Sequence, residues 1–339
     1  MRKKYVVGID IASKTLAVSV MKSAGDPEIL SVTIGNTEPG IKSLFRALRK
    51  LKIKLEDCWF CFEHTGHYGL LLSVMLNEKG YTFSAVPALE IKSSQGVQRG
   101  KTDASDAKQI ATYALVHAHK LKASILPSKT LLLLKELLSY RTFLVRNRTQ
   151  LKNSIKARKL LSKVIDNKWM LRDMEKGIEK HDLEIKKTEK AMESAISGTE
   201  LENNYKLALS VTGVGPITST AIIVYTQNFT SFDNSRKFSS YAGIAPFKHE
   251  SGSSIRGKTK VSNYANKWFK ALLYNAANSA VLCDQELKAY YQHKAKQNKH
   301  HLSIINAVAS KIVGRIFAVI NRQSPFVNIY ALKMSQKLA

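Results

Sequence analysis

Apolar residues come in short unbroken runs over the first third of the chain. Tyr5-Val6-Val7-Gly8-Ile9 leads to Asp10, and a second run covers Thr15 to Met21. Runs of this length, bounded by turn residues, predict strands buried on both faces. Gly25-Asp26-Pro27 turns the chain into a third strand over 29–34. The period then changes: behind Thr37, a helix N-cap, Ile41, Leu44, Leu48 and Leu51 recur at helical spacing. Trp59 to Phe62 predicts a fourth strand that delivers Glu63, and a helix over 68–78 follows. Gly80 ends that helix, and 82–86 predicts a fifth strand. A basic loop, Gln98-Arg99-Gly100-Lys101, precedes a helix over 104–117 capped by Thr102 or Ser105. This order is an α/β layout around one sheet, over 1–120.

The pattern changes again at Pro127. From Ser128 to Ser197 there is no proline and one glycine, Gly177, with apolar residues at every third or fourth position. That predicts one or two long helices over 127–197, as an antiparallel pair or a coiled-coil arm. The stretch 205–325 reads as a mostly α-helical C-terminal domain, and the tail over 326–339, introduced by Ser324-Pro325, reads as loosely attached.

Charge sharpens this outline. The 339 residues carry 53 Lys+Arg against 26 Asp+Glu, a formal net charge of +27. The excess is uneven: +5 over 1–119, +10 over 120–196 and +14 over 236–339, where Glu250, Asp284 and Glu286 are the only acids. A merely solvated surface mixes the two signs, whereas phosphate binding favours one, so the expected partner is a polyanion. The basic stretch Arg141 to Lys163 suits nucleic acid, though a plain dimerisation arm with a wet outer face fits it equally. An apolar content of 44% excludes wholesale disorder. No uninterrupted apolar stretch approaches the ~20 residues of a membrane span. Asp10 interrupts the apolar run behind the basic start, which therefore does not read as a signal peptide. Three cysteines cannot staple a chain this long. The expectation is a cytoplasmic, nucleoid-associated protein without a membrane partner.

Asp10 and Glu63 each terminate an apolar strand, where a carboxylate is costly unless a cation compensates it. Asp103 and Asp106 stand three apart at a helix start and share a face, which alone suits the helix dipole. Together the four offer the oxygen donors that Mg²⁺ prefers. The element order with acids at these positions resembles the RNase H-like, RuvC-type nuclease fold. The strings Gly8-Ile9-Asp10, Glu63-His64-Thr65-Gly66-His67-Tyr68 and Lys101-Thr102-Asp103-Ala104-Ser105-Asp106-Ala107 resemble the DEDD-type insertion-sequence transposases. That resemblance implies that Asp10, Glu63, Asp103 and Asp106 hold Mg²⁺, two ions per site, and drive DNA strand cleavage.

The C-terminal half carries two further signals. Val211-Thr212-Gly213-Val214-Gly215-Pro216 reads as a helix-hairpin-helix turn, in which Gly213 and Gly215 let backbone N–H groups approach a phosphate. Phe247 to Lys258 reads as a flexible, basic, hydroxyl-rich loop. Beside Ala242-Gly243-Ile244-Ala245-Pro246, it resembles the C-terminal domain of the same transposases, and the resemblance implies that Ser251 is the nucleophile. Arg99, Lys101, Ser253, Ser254, Arg256, Lys258, Lys260 and Lys267 are the remaining candidate nucleic-acid contacts. The chain departs from the family pattern near Asn263, where a basic residue is expected, and at Ala265, where glycine is. The resemblance further implies DNA partners (element ends and target), a guiding non-coding RNA, and a dimer or tetramer whose active sites combine the acids of one subunit with the serine of another.

The implied function is a transposase that excises and inserts its own element through a phosphoserine intermediate. The main rival is a RuvC-like, Mg²⁺-dependent junction resolvase using activated water; a non-enzymatic architectural protein ranks behind both. Cys58 and Cys61, three apart on a strand, face opposite sides and cannot chelate together. His64 and His67 suit either a phosphate contact or a turn. The basic run Lys294 to His301 suits a phosphate-facing loop better than a metal site.

Overall fold

The structure, a computed structural model, describes residues 3–64, 66–94, 102–251, 255–261 and 265–328, with backbone alone at 248–251 and 255–260. It divides into two compact units, 1–126 and 127–339.

In the first unit the apolar runs become strands β1 (Tyr5–Ile11), β2 (Thr15–Met21) and β3 (Leu30–Gly35), then helix α1 (Glu38–Lys50). Strand β4 (Cys58–Glu63), helix α2 (Leu70–Glu78), strand β5 (Thr82–Val86) and helices α3 (Ala88–Ser93) and α4 (Asp103–Val116) complete it. The sheet order is β3-β2-β1-β4-β5. β1, β2 and β3 pair antiparallel, while β4 runs parallel to β1 and β5 parallel to β4. Alternation along the strands splits the apolar residues into two layers. Val7, Ile9, Phe60 and Phe62 pack against Ile41, Leu44 and Leu48 of α1 and Leu72 and Leu76 of α2. Val6, Met21, Cys61 and Val86 pack on the other face against Ile91 of α3 and Ile110, Ala111 and Ala114 of α4. The two cysteines are thus in opposite layers, and burial pushes both thiols up to about 12. The sequence reading contained no counterpart of α3, a short helix entered through Pro87.

The second unit begins with two long helices, α5 (Lys129–Leu161) and α6 (Lys168–Ile196). Arg141 pairs with Glu189, Arg148 with Asp182 and Lys159 with Glu175, so the two run antiparallel. Buried Asn167 closes their connection, donating to Arg158 O and accepting from Ser162 Oγ. The helices α7 (Glu202–Leu209), α8 (Pro216–Tyr225) and α9 (Ser235–Tyr241) follow. A hairpin of β6 (Pro246–Ser251) and β7 (Ile255–Val261) leads to α10 (Lys267–Cys283), α11 (Gln285–Lys296) and α12 (His301–Arg322). Leu131, Leu134 and Leu138 of α5 and Met192 and Ile196 of α6 share one core with α7, α8, α10 and α12.

Two expectations are corrected here. The stretch read as a loop over 247–258 contains two paired strands, with a register shift between Phe247 and His249. The chain after Ser324 is not loose as far as Asn328: Phe326 N donates to Ser210 Oγ at 2.8 Å, and the Arg315 guanidinium lies 4.7 Å from the Phe326 ring centroid. By length and composition α12 could cross a membrane, but Lys311 and Arg315 interrupt it, so it is not an uninterrupted apolar stretch. Its apolar face, including Ile305, Val308, Ile312 and Ile316, is buried in the core of its unit, as suits a central helix.

Candidate active site

β1 and β4 run parallel in register up to Ile9 beside Phe62, so one step further brings Asp10 alongside Glu63. Both acids alternate out of the α1–α2 layer: Asp10 follows the parity of Val6 and Gly8, Glu63 that of Cys61. They therefore lie on the sheet face covered by α4, and both are half-buried.

α4 reaches that face because residue 8 is glycine. A Cβ at Gly8 would stand 2.4 Å from both Ala107 O and Ala111 N, so strand and helix touch backbone to backbone. The polarity follows from a second contact: Thr112 Oγ1 meets Met21 Sδ at 3.9 Å, and Met21 pairs with Val6. Going along β1 from Val6 to Asp10 thus means going backward along α4, from Thr112 towards its first turn. That turn holds Asp103, exposed, and Asp106, half-buried. A capping box fixes it: Thr102 Oγ1 accepts from Ser105 N, and Ser105 Oγ accepts from Thr102 N. Asp10 and Glu63 accordingly share one face of the sheet, and the first turn of α4, which carries Asp103 and Asp106, lies towards the same end.

Their donor chemistry suits a hard divalent cation. Among the described residues, however, no three His, Cys, Asp or Glu side chains close on one point as they stand. Beyond Glu63 the chain is tied back by His64 N donating to Val86 O at 2.9 Å, while His64 and His67 are exposed. Arg99 and Lys101 lie outside the described residues.

In the second unit, Gly213 sits between α7 and α8 with φ +90°. A Cβ there would stand 2.5 Å from Ala276 O and 2.6 Å from the Ala280 Cβ, so its close approach is to α10. Gly215 is the N-cap of α8 and faces open space. Lys267 is exposed at the first position of α10, against the helix dipole. Ala265, where glycine was expected, sits over Gly243: a Cβ on that residue would lie 2.3 Å from the Ala265 Cβ. Ser251 ends β6 opposite Ile255, and Arg256, Lys258 and Lys260 lie on β7, all described as backbone only. Ser253 and Ser254 lie outside the described residues. Sequence reasoning missed Gly8 as the point of helix contact; a glycine inside an apolar strand run is the signal that finds it.

Two family models match the chain, the first running from the sheet unit through α5 and the second lying in the helical unit. A DEDD transposase model of the insertion element IS110 type matches residues 7–165, and the transposase IS116/IS110/IS902 family model matches residues 205–292. The chain belongs to this transposase family. Among its relatives, an uncharacterized insertion element IS110 protein of Streptomyces coelicolor is 28% identical over 111 residues, 33% of this chain and 27% of that one. The pilin gene-inverting protein of Moraxella bovis is 28% identical over 131 residues, 38% of this chain and 40% of that one. A probable family 20 transposase of Pseudomonas aeruginosa is 20% identical over 158 residues, 46% of either chain. The match thus spans less than half the length of each. Among solved structures, Thermus thermophilus RuvC aligns with 36% of this chain and 99% of its own at 14% identity and a TM-score of 0.27. A score so low leaves the fold to be argued from the sheet itself.

Proposed function

We propose that this chain is a DNA recombinase that moves its own element by cleaving and exchanging DNA strands. The observation that supports the reading is that Asp10 and Glu63 end neighbouring parallel strands on the sheet face that α4 covers, in a chain of this family. Asp10, Glu63, Asp103 and Asp106 would hold Mg²⁺, which when bound would supply charge stabilisation for phosphoryl displacement. The strands orient two of these carboxylates through their backbone pairing, and the capping box orients the other two. Ser251 forms a bond from its hydroxyl oxygen to a DNA phosphorus as a sugar oxygen leaves, giving a phosphoserine that strand exchange then resolves. Lys267, Lys260 and the other cations of 236–339 neutralise the nucleic-acid backbone. A guiding non-coding RNA and a dimer or tetramer with composite sites complete the reading.

The test is trapping of a covalent protein–DNA adduct by the full chain with Mg²⁺, its RNA and element-end DNA. Ser251→Ala is expected to abolish the adduct. Asp10→Asn is expected to lower its formation by about three orders of magnitude, about 4 kcal/mol of transition-state stabilisation. Free cleaved ends with no adduct, unaffected by Ser251→Ala, would instead assign the reaction to activated water.

A further inference from the structure

Asn36 occupies the two-residue link between β3 and α1 and is half-buried. Its side-chain nitrogen donates to two carbonyls, Ala12 O at 3.0 Å and Tyr68 O at 3.0 Å. Ala12 lies two residues past Asp10, and Tyr68 lies five past Glu63. The amide therefore bridges the segment that leaves β1 and the segment that leaves β4. Both partners are acceptors, so only the NH₂ end can face them, and both of its hydrogens are used. A backbone tie adds to this: Asn36 N donates to Lys14 O at 2.9 Å, inside a turn closed by Ala12 N to Thr15 O at 2.9 Å.

The other end of the amide runs against ordinary economy. Asn36 Oδ1 is buried and accepts no hydrogen bond among the described residues. A buried acceptor without a donor is a cost, tolerated where the rest of the group is needed. The neighbouring Thr37 cannot share the task, because its hydroxyl caps α1 by accepting from Gly40 N. Aspartate at position 36 keeps the shape but turns a negative oxygen towards each carbonyl. Alanine removes the bridge altogether.

We infer that Asn36 is a positioning residue for the carboxylate site: by joining the exits of β1 and β4 it fixes the spacing of Asp10 and Glu63. This rests on the reading that those two acids hold a divalent ion. Asn36 touches neither the ion nor DNA; it acts through the two segments it binds.

The experiment titrates the full-length protein with Mn²⁺ alone, reading free ion by electron paramagnetic resonance. Thermal unfolding in chelator reports the fold. The variants are Asn36→Asp, Asn36→Ala and, as a separate arm, Asp10→Asn. Both Asn36 variants are expected to unfold cooperatively in chelator as the parent does, yet to need about tenfold more Mn²⁺ for half-saturation, ~1.4 kcal/mol. Hydrogen exchange is expected to rise together at 12–15 and 66–70. If the Asn36 variants bind Mn²⁺ like the parent while Asp10→Asn loses it, the positioning role is wrong and the carboxylate reading stands. If both Asn36 variants fail to fold in chelator, Asn36 serves stability and the proposal is overturned. If Asp10→Asn binds Mn²⁺ unchanged, the carboxylate reading falls and takes the proposal with it.

Discussion

In the first unit, β1 is flanked by β2 and β4 and covered on both faces, so Asp10 ends a strand whose register its neighbours hold. Slipping that strand by one residue would turn its apolar set into the wrong layer. The second unit uses side chains where the first uses backbone pairing. Asp284 is fully buried, caps α11 through Leu287 N at 3.0 Å, and is held by Arg315 Nη1 at 2.8 Å. The same guanidinium reaches Glu286 Oε2 at 2.7 Å and lies over Phe326. One cation thereby organises α11, α12 and the returning chain. The contrast teaches that geometry enforced by a sheet is distributed over many equivalent bonds, whereas geometry enforced by a polar clamp is concentrated in a few atoms.

That contrast can be broken in three places. Arg315→Met leaves Asp284 buried without its counter-charge and is expected to cost the second unit about 3 kcal/mol. Denaturant unfolding together with hydrogen exchange in α11 and α12 measures it, and an unchanged midpoint would show that the clamp is dispensable. Gly8→Ala tests the first unit at its closest point. The added methyl collides with Ala107 O and Ala111 N, which cannot swing aside as a flexible side chain would. The expected loss is about 2 kcal/mol, with faster exchange in β1 and α4. Wild-type stability for this variant would mean that α4 shifts freely, and with it Asp103 and Asp106.

The smallest effect is electrostatic. A hydrogen bond from Arg148, with that residue's charge beside it, holds Asp182 below the usual carboxylate range. A lowered folded-state value means that the stabilisation is complete above the unfolded value, near 4, and fades as pH falls through the lower folded one. Exchange protection along α5 and α6 should thus decline slightly below about pH 4, and Asp182→Asn should flatten that decline. The site is largely exposed, so salt should weaken the effect as well.

How legible each part was follows from what it buries. The doubly covered strands announce themselves as apolar runs, and the acids that interrupt them, Asp10 and Glu63, stand out for the same reason. The β6–β7 hairpin did not, because cations take every second position at 256, 258 and 260, and with Gly257 and a Ser-Gly-Ser-Ser string the stretch reads as a loop. That alternation is a period of two and was available as a strand signal. Asn36 was illegible in a different way: a turn asparagine looks like turn chemistry until its two long-range acceptors are known. The anchorage of Phe326 was hidden because Ser210 lies 116 positions away. Pairings of that kind have no periodic trace in a sequence.

The two long helices have a consequence of scale. At 1.5 Å per residue, α5 is roughly 50 Å long, about the length of fifteen stacked base pairs. Its Leu131–Leu138 end is seated in the helical core, while Leu161 stands about 35 Å further along the axis. Whatever meets the connection between α5 and α6 does so at the end of a stiff outrigger, far from the side chains that anchor it.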